Sequence, residues 1–208
     1  MRKINPLLCL PVVAMLLFCS CTNGQNKSDV IPAEKEKKIL IVYLSRTKNT
    51  KAIAEIIHQH VGGNLVALEL QNPYPENYQS IVDQVAAENR IGFLPPLKTK
   101  IDNIQQYDTI FIGFPTWGMQ LPPPMKSFLK QYDLSGKTII PFNTNAGYGI
   151  GNSFETVKTL APKSKILEGF STKGGKEKDG IYFVMESEKE VQAQTEIKKW
   201  LRKINVNN

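Results

Sequence analysis

The sequence predicts an α/β fold with a doubly wound parallel sheet, and three observations carry that prediction. Five short apolar runs are spread along the chain. Stretches with helical spacing separate them. Loops rich in glycine and hydroxyl residues follow several of the runs. Strands alternating with helices fold as parallel sheets with helices on both faces, and right-handed crossovers restrict the topology further. Five strands allow the order 2-1-3-4-5, whose ligand crevice lies at the carboxyl ends of the strands.

The runs are Ile39–Leu44, Leu65–Leu70, Thr109–Phe114, Thr138–Phe142 and Ile166–Phe170. The first, third and fourth are nearly all apolar, as strands buried on both faces are. Between them, Tyr78, Ile81, Val82 and Val85 follow the i, i+3, i+4, i+7 spacing of a helix. Met125, Phe128, Leu129 and Tyr132 repeat it, as do Ile197, Trp200, Leu201 and Ile204. All three stripes read as core faces. A Gly- and charge-rich stretch, 173–179, reads as a loop, and "IYFV", 181–184, as a short extra strand.

The N-terminus is a separate object. Arg2 and Lys3 precede the apolar run Pro6 to Phe18. That run is too short for a bilayer, which needs about 20 residues, and reads as an export signal. "FCSCT" follows and resembles a bacterial lipoprotein signal with Cys21 as the lipidated residue. The expected organisation is therefore a signal peptide at 1–20, the lipidated Cys21 and a flexible linker at 21–36, and the folded domain at 37–208. The expected product is an exported bacterial lipoprotein, anchored in a membrane by its lipid and facing the periplasm or the cell surface.

The 208 residues carry a formal charge of +7 and are 41% hydrophobic. Loss of residues 1–20 removes Arg2 and Lys3 and leaves +5. Lysines are dispersed and no basic block alternates with aromatics, so no nucleic-acid partner is expected. The three cysteines are Cys9, Cys19 and Cys21. The folded part therefore has no disulfide, thiolate metal site or cysteine nucleophile. His58 and His60 lie two apart near a helix end, on different faces. Neither a metal site nor a catalytic residue is expected.

Three loops carry the chemistry. "SRTKNT", Ser45 to Thr50, follows the first run and opens a helix bearing Ile53, Ile56 and Ile57. Unpaired N–H groups and the helix dipole attract anions at such a place. The loop lacks the glycines of a dinucleotide fingerprint and the ending of a P-loop. It suits a terminal phosphate monoester; a plain N-cap is the alternative. The third run ends in "GFPTWGM", Gly113 to Met119, and the fourth in "NTNAGYGIG", Asn143 to Gly151. A phosphate cradle, an aromatic lid and a polar Gly-rich loop describe a site for a phosphate-bearing flat heterocycle.

From about Lys37 to Asn205 the sequence resembles the flavodoxin family, which implies a flavodoxin-like fold and FMN as cofactor. The resemblance places the FMN phosphate on Ser45, Arg46, Thr47, Lys48, Asn49 and Thr50. It places the flavin ring against Pro115, Thr116, Trp117 and Gly118, with Trp117 stacked on it. It assigns the pyrimidine edge to Asn143, Thr144, Asn145, Gly147, Tyr148 and Gly149, with Tyr148 as a second ring. "NPYPENYQSIVDQ" and "LPPPMKSFL" resemble a bacterial subgroup of flavodoxin-like proteins. Lys48 stands where the family has glycine; a positive φ there costs about 1–2 kcal/mol, and a lysine adds attraction for the phosphate.

The leading expectation is electron transfer through bound flavin, to a partner protein or a small-molecule acceptor. An NAD(P)H-dependent quinone or flavin reductase on the same scaffold is the alternative. A surface module that has lost FMN is a third, resting on Lys48 alone. A phospho-receiver is excluded because Ser45 and Arg46 stand where it needs aspartates. The flavin-facing loops contain no Asp or Glu, while Arg46 and Lys48 add positive charge, so the expected flavin environment is cationic.

Overall fold

The computed structural model describes residues 38–206, so the expected signal peptide, Cys21 and the whole linker lie outside the described residues. The elements run β1 Ile39–Tyr43, α1 Asn49–Val61, β2 Asn64–Ala67, α2 Tyr78–Ile91, β3 Thr109–Pro115, α3 Pro123–Gln131, β4 Thr138–Asn145, α4 Ser153–Leu160, β5 Lys165–Ile166, β6 Phe170–Lys173 and α5 Ser187–Lys203. The sheet is parallel with the order β2-β1-β3-β4-β5, the doubly wound order expected; β6 also pairs with β4.

Burial follows the apolar runs. Leu40 to Val42 and Ile110 to Ile112 are fully enclosed, because helices cover both faces of the central strands. On one face Val42, Ile112 and Phe114 pack with Leu121, Met125 and Phe128 of the α3 region. On the other, Ile41, Phe111 and Phe142 pack with Ile53 and Ile57 of α1 and with Ile197, Trp200 and Leu201 of α5. Gly113 brings β3 close to that second layer: a Cβ there would sit 2.0 Å from the Phe142 ring.

Three details differ from the sequence reading. The fifth run is two strands rather than one. β5 pairs with Thr138–Ile139 and β6 with Phe142–Asn145. The interruption falls opposite Pro141, which has no N–H to donate to a ladder. At Gly169 the chain passes so close to Phe154 and Pro141 that a side chain would not fit. The "IYFV" segment is irregular apart from a bridge between Ile181 and Lys176. The α2 stripe divides: Ile81 and Val85 are buried, but Tyr78 and Val82 are 36% and 40% exposed. They face a cleft at the carboxyl ends of the strands.

Candidate functional site

The carboxyl ends of β1, β3, β4 and β6 bring four loops around one cleft of about 520 Å³. This is where a doubly wound sheet offers its ligand site.

The first loop builds an anion cradle. Tyr43 ends β1 and Asn49 begins α1, so Ser45–Thr50 must turn sharply between them. Lys48 makes that turn with φ 65° and ψ −8°, the left-handed conformation. Ser45 Oγ accepts the N–H of Lys51 at 3.2 Å. Among the described residues, no backbone N–H from Ser45 through Thr50 donates to a protein acceptor. Successive amides of this kind at a helix N-terminus form a nest for an anion. Thr47 Oγ1 accepts from Asn49 Nδ2 at 2.8 Å, which leaves its own proton free to donate. The buried Thr50 hydroxyl shares a hydrogen bond of 2.8 Å with Thr144 Oγ1, tying the first loop to the end of β4. The donor set fits a phosphate monoester.

The second loop presents an aromatic. Trp117 and Gln120 exchange backbone hydrogen bonds of 3.3 and 3.0 Å across Gly118 and Met119. Both central residues have positive φ, 56° and 59°, as a type I′ turn requires. The tight turn holds Trp117 half-buried in the cleft wall. Its ring meets Tyr74 edge-on at 5.5 Å. The Tyr74 hydroxyl donates to Glu88 Oε2, and Gln84 donates to Glu88 Oε1 at 2.9 Å. Burial first, then the hydrogen bond and charge of Glu88, push the Tyr74 phenol far above its ordinary range. Neither Tyr74 nor Glu88 was legible as part of the site.

In the third loop most side chains shape the backbone. Asn143 is fully buried and donates to Phe114 O and Thr116 Oγ1, both at 3.0 Å. Thr116 in turn donates to Gly149 O at 3.0 Å. Asn145 Oδ1 accepts the N–H groups of Gly147 and Gly149 at 2.9 and 3.1 Å, which curls the loop. Both glycines need positive φ, 95° and 85°. Tyr148 stands at the rim, 67% exposed, with Lys176 Nζ 5.6 Å from its ring centre.

Of the residues expected at the site, Arg46, Thr47, Asn49, Thr50, Pro115, Thr116, Trp117, Gly118, Thr144, Asn145 and Tyr148 line the cleft. Ser45, Lys48, Asn143, Gly147 and Gly149 do not line it; they belong to the loops that do.

The fourth loop was not foreseen. Gly174 to Lys178 lines the cleft, and it changes the electrostatics. Arg46 Nε donates to both Glu177 carboxylate oxygens, at 2.8 and 3.0 Å. The same guanidinium reaches Pro75 O at 2.9 Å and Glu76 O. The loops expected to face the flavin hold no Asp or Glu, but the fourth loop brings Glu177 to Arg46 and neutralises that one of the two expected cations, Arg46 and Lys48. Asn49 fastens the next residues, donating to Tyr182 O at 2.5 Å and accepting Val184 N–H at 3.0 Å. Residues 174–184 thereby close over the cradle. The remaining wall is α2, through Tyr78, Val82, Ala86, Asn89 and Arg90.

The flavodoxin family model matches residues 38–187. A flavodoxin from Synechocystis is 26% identical over 143 residues, 67% of either chain. A structure from Bacteroides eggerthii, described as that of a candidate flavoprotein, is 29% identical with a TM-score of 0.66; the match covers 81% of this chain and 98% of that one. A flavoprotein from Lactobacillus acidophilus, solved in complex with FMN, is 22% identical with a TM-score of 0.59 and shares the fold; the match covers 65% and 93%. With the sheet order and the three loops in place and the family model spanning most of its length, the chain belongs to the flavodoxin family.

Proposed function

We propose that this protein binds FMN and transfers electrons through it. The observation that carries the reading is the run of six backbone amides, Ser45 to Thr50, without protein acceptors, opening beside Trp117 in the same cleft. The cradle amides and the Thr47 hydroxyl would hold the phosphate. Trp117, braced by Tyr74, would cover one face of the ring and exclude water from it. Flavin, when bound, supplies the redox chemistry, and the protein tunes it through stacking, hydrogen bonds and charge. Glu177 compensates Arg46, while Lys48 keeps an exposed ammonium beside the cradle.

Arg46 and Asn49 hold residues 174–184 against the cradle loop, whose donors suit one terminal phosphate. FMN is therefore expected to bind and FAD to bind more weakly. Absorbance and calorimetric titration of the purified protein test this; FAD binding as tight as FMN would sink it.

A second reading, a reductase with its own small-molecule substrate, is favoured by the wall of α2. Helix α2 gives the cleft the apolar Tyr78 and Val82 and the charged Arg90, groups that would contact a small substrate beside the flavin. The proposal also places the protein at a membrane through lipid on Cys21. Among the described residues no helix is long and apolar enough to cross one.

A further inference from the structure

We propose that the end of the cleft remote from the phosphate cradle is a subsite for a small planar aromatic anion that sits beside the flavin. The inference rests on the FMN reading above and names the substrate class of the same cleft.

Helix α2 runs along the cleft. At its start, Arg46 is bound to the carbonyls of Pro75 and Glu76. In its last turn, Arg90 lines the cleft. Tyr78 and Arg90 are about 18 Å apart at 1.5 Å per residue. The two ends differ in chemistry. The cradle end offers amides and a compensated Arg46. Tyr78 and Val82 follow along the helix, large apolar side chains left over a third exposed. An amphipathic helix normally buries such residues, and here they form a flat apolar wall inside a cavity.

The far end is basic and uncompensated. Among the described residues, neither Arg90 nor Lys126 has a carboxylate within 4 Å. Lys126 Nζ is held by neutral oxygens alone, Asn89 Oδ1 at 2.8 Å and Gln120 Oε1 at 3.4 Å, and both of those side chains line the cleft. Its partial burial disfavours the ammonium form. Glu88, the nearest acid along the helix, is taken up by Tyr74 and Gln84. Glu177, the one carboxylate among the lining residues, is paired with Arg46. A cation kept partly from water without a counter-ion is costly, and an anionic group arriving at Arg90 and Lys126 would supply one. An apolar wall with the exposed Arg90 at its end, and the half-buried Lys126 held behind the lining side chains of Asn89 and Gln120, fits a flat ring with one negative substituent.

The test uses the oxidised, FMN-loaded full-length protein, with naphthoquinone sulfonate and uncharged naphthoquinone as probes. Binding is read from the flavin absorbance spectrum without turnover. Wild-type protein is expected to bind the sulfonate more tightly than the parent. Arg90→Ala is expected to weaken the sulfonate roughly tenfold, as loss of a charged hydrogen bond does, and to leave the parent and FMN itself unchanged. Arg90→Lys is expected to restore most of the loss, and Lys126→Gln to act in the same direction as Arg90→Ala. Equal weakening of both probes overturns the inference, as does an unaltered sulfonate affinity. Weaker FMN binding in Arg90→Ala assigns Arg90 to the flavin and overturns it too. A wild-type protein that takes up no FMN overturns the parent reading, and this one with it; FMN uptake without either probe binding overturns this one alone.

Discussion

Lys48 occupies a conformation that residues other than Gly, Asn and Asp seldom adopt. Its φ of 65° is required by the turn into α1, and a side chain there costs about 1–2 kcal/mol. Lys48→Gly is therefore expected to stabilise the FMN-free protein by roughly 1 kcal/mol in chemical denaturation. The same change removes an exposed ammonium beside the cradle and is expected to weaken FMN at low salt but not at high salt. An affinity equal to wild type under both conditions would show that the ammonium does not reach the phosphate. Trp117→Ala removes the ring face; stacking of this kind is worth about 1–3 kcal/mol, so FMN is expected to weaken roughly 5- to 150-fold. Unchanged affinity and unchanged quenching of flavin fluorescence would make Trp117 a packing residue only. Behind it, Tyr74 is held in its protonated form by burial and Glu88. A phenol raised in this way adds stability that is complete below its ordinary value of 10.0 and is lost as pH climbs above it. Glu88→Gln is expected to bring the Tyr74 titration down in a tyrosinate absorbance titration; a profile identical to wild type would leave burial as the sole cause.

At the scale of elements, the strands and helices were legible because their periods are local. The runs at Ile39, Thr109 and Thr138 announce buried strands in their own letters. The loop at Ser45–Thr50 announces itself by hydroxyls between a strand and a helix. Residues 174–184 have neither signal. Their role rests on partners about 130 residues away, Arg46 with Glu177 and Asn49 with Tyr182 and Val184, and no local pattern encodes a partner so distant. The α2 stripe misled for a related reason: helical spacing marks one face of Tyr78, Ile81, Val82 and Val85 but does not tell a core from a cavity. Breaking the latch tests the closing segment. Glu177→Gln leaves Arg46 a net cation and loosens the cover, so FMN is expected to associate faster at low salt and to dissociate faster, by roughly tenfold for the lost charged hydrogen bonds. Stopped-flow fluorescence measures both rates, and a dissociation rate equal to wild type would show that the segment is held by Asn49 alone.

For the whole molecule, the α/β class was legible from alternation, which allows the observed strand order without fixing it; the family resemblance carried the order, and the division of the last run into β5 and β6 depends on what lies beside Pro141. The N-terminal expectations are tested by chemistry rather than by the fold. Cys21→Ala is expected to abolish incorporation of labelled lipid and Cys19→Ala to leave it intact; the reverse pattern would move the anchor by two residues. One consequence of the sheet order concerns the sequence in which the chain is made. β1 lies between β2 and β3, pairing Leu40 with Asn64 on one side and Ile39 with Thr109 on the other. The β2 edge can close as soon as the first helix and β2 itself, ending at Ala67, are out. The β3 edge must wait for some forty further residues, and β3 itself then waits for β4. Until then the most apolar strand of the protein has an unpaired side, the kind of edge that recruits other chains. Such distant pairings also form slowly. A nascent copy halted before residue 109 is a sheet without its centre, and its hazard is its neighbour's identical edge.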